Sequence, residues 1–347
     1  MDATWRIVDA NLNRAREALR VAEDYARFAL DDPALSASAK VMRDELRRLT
    51  ESLPAEQLLA NRDTAGDVGT AISTETEAER TGAAGVATAA CKRLTEALRA
   101  IEEYLKVLAA NLAPSVEALR YRAYTFEQRL LGRADLLGRI RRARLHVLLT
   151  GELCRQDPVP TAHAAIAGGA EVIQLREKSM SDRQLCELAR RLRAVTLASE
   201  TLLIINDRPD IAAAVGADGV HLGQDDLPVP AARRILGGDK LVGLSTHSLE
   251  QALAAGTAGA DYIGVGPMFT SSTKASSHIP GPVLLKAVVA EVMLPAVAIG
   301  GITARNVGSL VEAGGRRVAV CRSVIAASDP AAAARAIKDK LPPIGQL

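Results

Sequence analysis

The sequence predicts an α/β protein: a (β/α)8 TIM barrel preceded by an all-α domain. Three observations predict it. Residues 1–131 are dominated by Arg, Glu, Ala and Leu and lack strand-like alternation. From Leu145 onward, short apolar runs alternate with Ala-rich helical stretches at spacings of roughly 20–35 residues, the pattern of parallel strands with helices outside. Eight such units over about 200 residues fit a closed barrel, whereas an open doubly wound sheet usually uses fewer strands. At 347 residues the chain has ample material for two domains, placed at 1–131 and 145–347 with a linker at 132–144.

The helical half carries an internal repeat. NRAREALRVAEDY (13–25) matches KRLTEALRAIEEY (92–104) at an offset of 79. Arg14, Glu17, Arg20, Glu23 and Tyr25 recur as Arg93, Glu96, Arg99, Glu102 and Tyr104, and Asp24 is answered by Glu103. One reading is a solvated helix face laced by i,i+3 ion pairs. The other is a pair of equivalent helices meeting across a pseudo-twofold axis, with charges lining a cleft. Between the repeats lies NRDTAGDVGT (61–70), a turn-rich loop. Its Arg62, Asp63, Thr64 and Asp67 suit a phosphate or a metal, and equally an ordinary surface loop. RYRAYTFEQRLL (120–131) reads as the last helix, and GRADLLGRIRRAR (132–144) as a basic helical connector.

The eight expected strands are 145–150, 171–177, 202–207, 219–223, 241–245, 262–267, 296–301 and 317–322. Barrel chemistry sits at the C-terminal ends of strands, and polar residues follow nearly every one. The second strand runs into Gln174, Arg176, Glu177 and Lys178, the third into Asn206 and Asp207, the fourth into Asp226, and the fifth ends in Ser245. The sixth leads to Ser271, Thr273 and Lys274, the seventh to Gly300 and Gly301, and the eighth to Cys321 and Arg322. Arg176, Lys178 and Lys274 are cations suited to phosphoryl oxygens. Asp207 and Asp226, nineteen residues apart at the ends of neighbouring strands, suit a hard cation such as Mg²⁺, which takes one or two carboxylates plus substrate phosphates. The alternative is that each caps the helix after its strand. Gly300 and Gly301 would let backbone N–H groups approach an anion. His221 reads equally as a packed core histidine or a site-lining one.

Composition excludes other classes. The formal net charge of +2 gives no reason to expect nucleic acid or membrane. Aromatic residues at 3% are too sparse for a base-stacking platform. The four cysteines form no CxxC pair, so neither a disulfide framework nor a zinc site is expected. The N-terminus lacks an apolar signal core and no long uncharged apolar run follows, so a reduced cytoplasm is the expected compartment. There is no Ser-His-Asp order, HExxH or Walker loop.

QLREK, NDR, GVHLGQDD, GPMFTSSTK and AIGGIT, in this order and spacing, closely resemble thiamine-phosphate synthases over about residues 144–340. The resemblance implies a barrel that joins 4-amino-2-methyl-5-hydroxymethylpyrimidine diphosphate to hydroxyethylthiazole phosphate, or its carboxylated form, giving thiamine phosphate and pyrophosphate. It implies that Gln174, Leu175, Arg176, Glu177, Lys178, Asn206, Ser245 and Lys274 bind the pyrimidine diphosphate. It implies that Asp207 and Asp226 hold Mg²⁺, and that Ser271, Ser272, Thr273, Gly301, Cys321 and Arg322 hold the thiazole phosphate. Arg176, Lys178 and Lys274 would carry catalysis, by a dissociative substitution in which pyrophosphate leaves first. Two positions depart from the family. Thr270-Ser271-Ser272-Thr273-Lys274 stands where Pro-Thr-x-Thr-Lys is usual, and Cys321-Arg322 where a small residue and Ser are usual.

The helical half resembles a domain fused ahead of these synthases in some bacteria, for which phosphorylation of the pyrimidine monophosphate with ATP has been proposed. The competing reading is a dimerisation or docking module, so both ATP as a partner and a homo-oligomer are carried as expectations. For the barrel, the runner-up is the related thiazole tautomerase, which would not need the diphosphate set. A third class is a non-catalytic phosphate-sensing barrel.

Overall fold

A computed structural model describes residues 2–68, 80–270 and 279–344. The chain divides into two compact units, Met1–Asp135 and Leu136–Leu347.

The first unit is helical: α1 (Ala3–Phe28), α2 (Pro33–Glu51), α3 (Ala55–Ala60), α4 (Gly82–Leu108) and most of α5 (Ala113–Arg142). The first two helices are started by local chemistry. Asp2 caps α1 by accepting from Thr4 N–H, and Asp32 caps α2 by accepting from Ala34 and Leu35 N–H just before Pro33. Apolar residues then recur at helical spacing. Val8, Leu12, Ala15, Leu19, Ala22 and Ala26 form the buried stripe of α1; Leu94, Leu98, Ile101 and Leu105 continue that of α4. The two stripes pack against each other, and each buried leucine contributes about 1.5–3 kcal/mol.

The internal repeat sits on these two helices and splits into two parts. Arg14, Glu17, Arg20, Arg93, Glu96 and Arg99 are exposed, as a solvated face requires. Glu23 and Glu102 are not: both are buried, and each takes an arginine from the helix that follows its own. Glu23 pairs with Arg43 of α2, and Glu102 accepts from Arg120 of α5 at 2.7 Å. The repeat therefore marks two equivalent helix pairs, each stitched by an arginine of the second helix on a buried glutamate of the first. Such a pair is costly to break from one side, because the surviving charge is left desolvated.

The second unit is a closed barrel of eight parallel strands in sequence order, β8 pairing back to β1. The strands are β1 (Leu145–Leu149), β2 (Val172–Leu175), β3 (Leu202–Asn206), β4 (Gly219–Leu222), β5 (Leu241–Thr246), β6 (Tyr262–Val265), β7 (Ala296–Ile299) and β8 (Val318–Val320). All eight expected strands exist, and seven of the eight expected runs overshoot, because the residues past each run leave the hydrogen-bonded ladder to form the rim. The helices between them are α6 (Pro158–Ala167), α7 (Asp182–Ala198), α8 (Pro209–Ala214), α9 (Val229–Leu236), α10 (Leu249–Thr257), α11 (Gly281–Glu291), α12 (Val307–Glu312), α13 (Arg322–Ile325) and α14 (Pro330–Lys338).

Strand parity sorts the side chains. One set, including Val147, Leu149, Ile173, Leu175, Val220 and Ile263, fills the apolar layer between sheet and helices. The other set points into the barrel. His146 of β1 lies 6.0 Å, ring to ring, from Tyr262 of β6, a contact possible only across the interior because these strands are not neighbours. The register then places Gln174, Asn206, His221 and Ser245 on the same inward side.

At the N-terminal rim a single device recurs. Asp218, just before β4, accepts from Leu203 N–H at 2.8 Å and pairs with Arg193. Asp261, just before β6, accepts from Val242 N–H at 2.7 Å and pairs with Arg233. Glu171, just before β2, accepts from Arg144 and Leu145 N–H and pairs with Lys338. Each carboxylate satisfies the first free amide of the preceding strand, which would otherwise be an unpaired buried donor.

Candidate active site at the C-terminal rim

The site is centred on the ends of β3 and β4. Asp207 directly follows β3 and holds a left-handed backbone, φ 64°, a conformation that is strained for a non-glycine residue. Its N–H donates to His221 C=O at 2.8 Å, which ties the end of β3 to β4 and aims the carboxylate. Lys178 Nζ, from the loop after β2, donates to Asp207 Oδ2 at 2.5 Å. The Asp226 carboxylate accepts from Gly223 N–H at 2.6 Å and also hydrogen-bonds Asp207. Partial burial, and then the Asp207 carboxylate, push the Asp226 pKa above the ordinary aspartate value.

Neither aspartate is a helix cap. The α8 N-cap is Arg208 and the α9 N-cap is Pro228, and neither makes a side-chain capping bond. Arg208 is engaged elsewhere, with Asp182 and Asp210. Two carboxyl groups within hydrogen-bonding reach of each other, on adjacent strand ends, form a donor set suited to a hard divalent cation. Among the described residues no cluster of three or more His, Cys, Asp or Glu side chains is arranged for a metal.

The remaining expected residues of β2 take different places. Gln174 is buried and inward-facing and hydrogen-bonds Tyr262. Leu175 packs its side chain in the outer apolar layer, so only its backbone reaches the rim. Arg176 is half-buried; its C=O accepts from Thr150 Oγ1 at 2.9 Å, and its charge reaches the Cys321 thiol. Glu177 Oε1 accepts from Gly151 N–H at 2.5 Å, holding the β1 and β2 loops together, and burial raises its pKa. Asn206 closes β3 on the inward side.

A polar chain runs beneath the rim. His221 Nδ1 lies 3.2 Å from the Tyr262 hydroxyl and Nε2 lies 3.0 Å from Ser245 Oγ. Burial pushes the His221 pKa down to about 4, so the ring is neutral near pH 7, and burial raises that of Tyr262. Gln224 donates to Ser245 C=O at 2.5 Å. Tyr262 and Gln224 were not singled out by the sequence. Tyr262 stands inside an apolar strand run, where an aromatic residue reads as core.

On the opposite side, Gly300 and Gly301 take φ 104° and 64°. A Cβ on Gly301 would fall 2.4 Å from Thr270 C=O, and Phe269 N–H donates to Gly300 C=O at 3.0 Å. The glycine pair is therefore required first by the close crossing of the β6 and β7 loops. Asn306 braces this turn by donating to Gly301 C=O at 2.9 Å and accepting from Thr303 N–H at 2.8 Å. Cys321 is half-buried, Arg322 is exposed, and Ser323 Oγ beside them is buried with no hydrogen-bond partner. Ser271, Ser272, Thr273 and Lys274 lie outside the described residues.

In the helical unit, loop residues Arg62 and Asp63 are committed to structure. Arg62 forks onto Asp9 of α1 at 2.7 and 2.8 Å. Asp63 accepts from Gly66 N–H at 2.8 Å, and its C=O accepts from Arg6 at 2.8 Å. No helix among the described residues is long and apolar enough to cross a membrane.

A model of the thiamine monophosphate synthase family matches residues 145–324. The chain belongs to that family. As a member, it is a transferase of thiamine biosynthesis. A second model, described as the ThiD2 family, matches residues 6–129. A thiamine-phosphate synthase of Rhodopirellula baltica is 43% identical over 324 residues, covering 91% of this chain and 86% of its own. One of Nostoc punctiforme is 40% identical over 328 residues, covering 94% and 91%. These synthases thus match the chain across both units. Among solved structures, a thiamine phosphate pyrophosphorylase from Pyrococcus furiosus is 34% identical with a TM-score of 0.54, covering 58% of this chain and 96% of that one.

Proposed function

We propose that the barrel, residues 145–347, condenses 4-amino-2-methyl-5-hydroxymethylpyrimidine diphosphate with hydroxyethylthiazole phosphate, or its carboxylated form, and that Asp207 and Asp226 hold the Mg²⁺ it needs. The observation that carries this reading is the mutual contact of these two carboxyls, with Lys178 against them. Bound there, Mg²⁺ would neutralise charge on the departing pyrophosphate. Lys178 and Arg176 bind phosphoryl oxygens from the β2 side, and Lys274 completes the set from the β6 loop. Gln174, Asn206 and Ser245 hold the pyrimidine over the barrel mouth, with Leu175 and Glu177 shaping the loop that carries Arg176 and Lys178. Gly301, Cys321 and Arg322, with Ser271, Ser272 and Thr273, hold the thiazole phosphate, so that its ring nitrogen faces the pyrimidine methylene carbon.

Little proton transfer is needed for a dissociative substitution. The described site matches that demand: His221 is bonded to two hydroxyls, and burial pushes its pKa down to about 4. The work is positioning and electrostatic stabilisation of the leaving group. The diphosphate set of Arg176, Lys178, Asp207, Asp226 and Lys274 favours this reaction over a thiazole tautomerase, which has no diphosphate to bind.

For residues 1–131 the reading is a kinase that phosphorylates the pyrimidine monophosphate with ATP, with 132–144 joining it to the barrel. The ThiD2 match supports it. A non-catalytic dimerisation or docking module is the competing reading. The four free thiols suit a reducing cytoplasm, and neither nucleic acid nor membrane enters the reaction.

The test is one incubation of the full chain with Mg²⁺ and thiazole phosphate, given either the pyrimidine diphosphate or the monophosphate plus ATP. Thiamine phosphate from the diphosphate establishes the synthase; failure there overturns it. Product from the monophosphate and ATP establishes the kinase, and product only from the diphosphate favours the docking module.

A further inference from the structure

Four polar side chains form a continuous chain inside the barrel. Gln174 of β2 hydrogen-bonds the Tyr262 hydroxyl of β6, Tyr262 meets Nδ1 of His221 on β4, and His221 Nε2 meets Ser245 Oγ on β5. The fold makes room for it. A Cβ on Gly243 would fall 2.2 Å from Tyr262 Cζ and 2.5 Å from His221 Nδ1. The two ends of the chain, Gln174 and Ser245, are residues assigned above to the pyrimidine diphosphate, and the inference rests on that assignment.

The direction of the hydrogen bonds decides what the ends can offer. His221 is buried with a hydroxyl on each ring nitrogen. A neutral imidazole donates from one nitrogen and accepts at the other, so only two directions exist. In the first, Nδ1–H donates to Tyr262, Tyr262 O–H donates to Gln174 Oε1, and Ser245 O–H donates to Nε2. Gln174 then has its Oε1 turned to Tyr262 and its N–H groups turned away from it, and Ser245 has only lone pairs left for a ligand. In the second, Gln174 N–H donates to Tyr262, Tyr262 O–H donates to Nδ1, and Nε2–H donates to Ser245 Oγ. Gln174 Oε1 is then a free acceptor, and the Ser245 proton is free to donate. An aminopyrimidine offers an exocyclic N–H that needs an acceptor, and an ionised diphosphate oxygen needs a donor. The second direction serves both, and the first leaves the diphosphate oxygen with no donor from Ser245.

We propose that Tyr262 and His221 are a positioning relay, with His221 held as its Nε2–H tautomer. The relay presents an acceptor at Gln174 to the amino group of the pyrimidine and a donor at Ser245 to the diphosphate. Neither residue touches the reacting atoms; each acts through its neighbour. The relay couples recognition of the ring to recognition of the leaving group.

Two measurements on the full chain test it. Long-range ¹⁵N–¹H correlation of the histidine rings, with His221 assigned by loss of its signals in His221→Gln, should show the Nε2–H tautomer. The Nδ1–H tautomer overturns the relay, and this readout needs no substrate. In Tyr262→Phe, the KM for the pyrimidine diphosphate should rise about tenfold, as expected for one lost buried hydrogen bond, while the KM for the thiazole phosphate stays unchanged. The same variant should discriminate less than wild type against an analogue with oxygen in place of the amino group. Unchanged kinetics and discrimination, or an equal rise in both KM values, overturn the relay. If wild type makes no thiamine phosphate, the assigned reaction fails instead, and the tautomer alone decides whether the relay runs as stated.

Discussion

At the N-terminal rim of the barrel, Asp218 and Asp261 each accept a strand amide and face an arginine, at 2.8 Å from Arg193 and 2.6 Å from Arg233. At the C-terminal rim, Asp207 and Asp226 face each other, share one partly exposed lysine, and one of them holds a left-handed backbone. The same side chain thus serves opposite ends. The lower acids lower the free energy of the fold, because each meets a strand amide and an arginine. The upper pair raises it wherever both are ionised, because two carboxyls stand against each other. Stability and activity should therefore separate by rim.

The largest expected effect is on turnover. Asp207→Ala should lower kcat by at least about 10²–10³, the scale of losing a leaving-group stabiliser, with thiazole phosphate binding and the melting temperature retained. Full activity in steady-state assay would remove Asp207 from the metal site. Next comes stability at the other rim. Asp218→Ala leaves Arg193 and the Leu203 amide unpaired in a mostly buried setting and should cost about 3–5 kcal/mol. Urea unfolding measures it, and turnover per folded molecule should stay at the wild-type value. A loss of turnover without a loss of stability would blur the distinction between the rims.

The smallest effect concerns pH. The Asp226 pKa is raised in the folded chain, so the folded state keeps a proton that the unfolded state has already released. In the window from the ordinary aspartate value up to the raised one, stability of the metal-free chain falls as pH rises. Asp226→Asn removes that loss. Its melting temperature should exceed wild type above the window and match it below, and added Mg²⁺ should narrow the gap by stabilising wild type alone. A variant less stable than wild type at neutral pH would mean that the pair is not repulsive.

Much of this was legible in the chain. The eight strands announce themselves because a parallel strand buried on both faces is a short apolar run. The rim residues are legible because polar groups just past such runs have nowhere else to go. Tyr262, Glu23 and Glu102 were hidden for one reason. Each stands in a pattern whose average member does something else: an aromatic in a strand reads as packing, and a glutamate in a charged helix reads as solvated. The purpose of Gly300 and Gly301 was equally hidden, since a sequence shows that glycine is present but not which backbone passes 2.4 Å away.

By itself, then, the sequence determined the number of strand–helix units and the chemical types at their ends, because both depend on residues close together in the chain. Only the tertiary structure decided who meets whom. Asp207 and Asp226 touch because β3 and β4 are hydrogen-bonded neighbours, and Tyr262 reaches both Gln174 and His221 because the sheet closes. Ring closure is a property of all eight strands at once, and no local pattern encodes it.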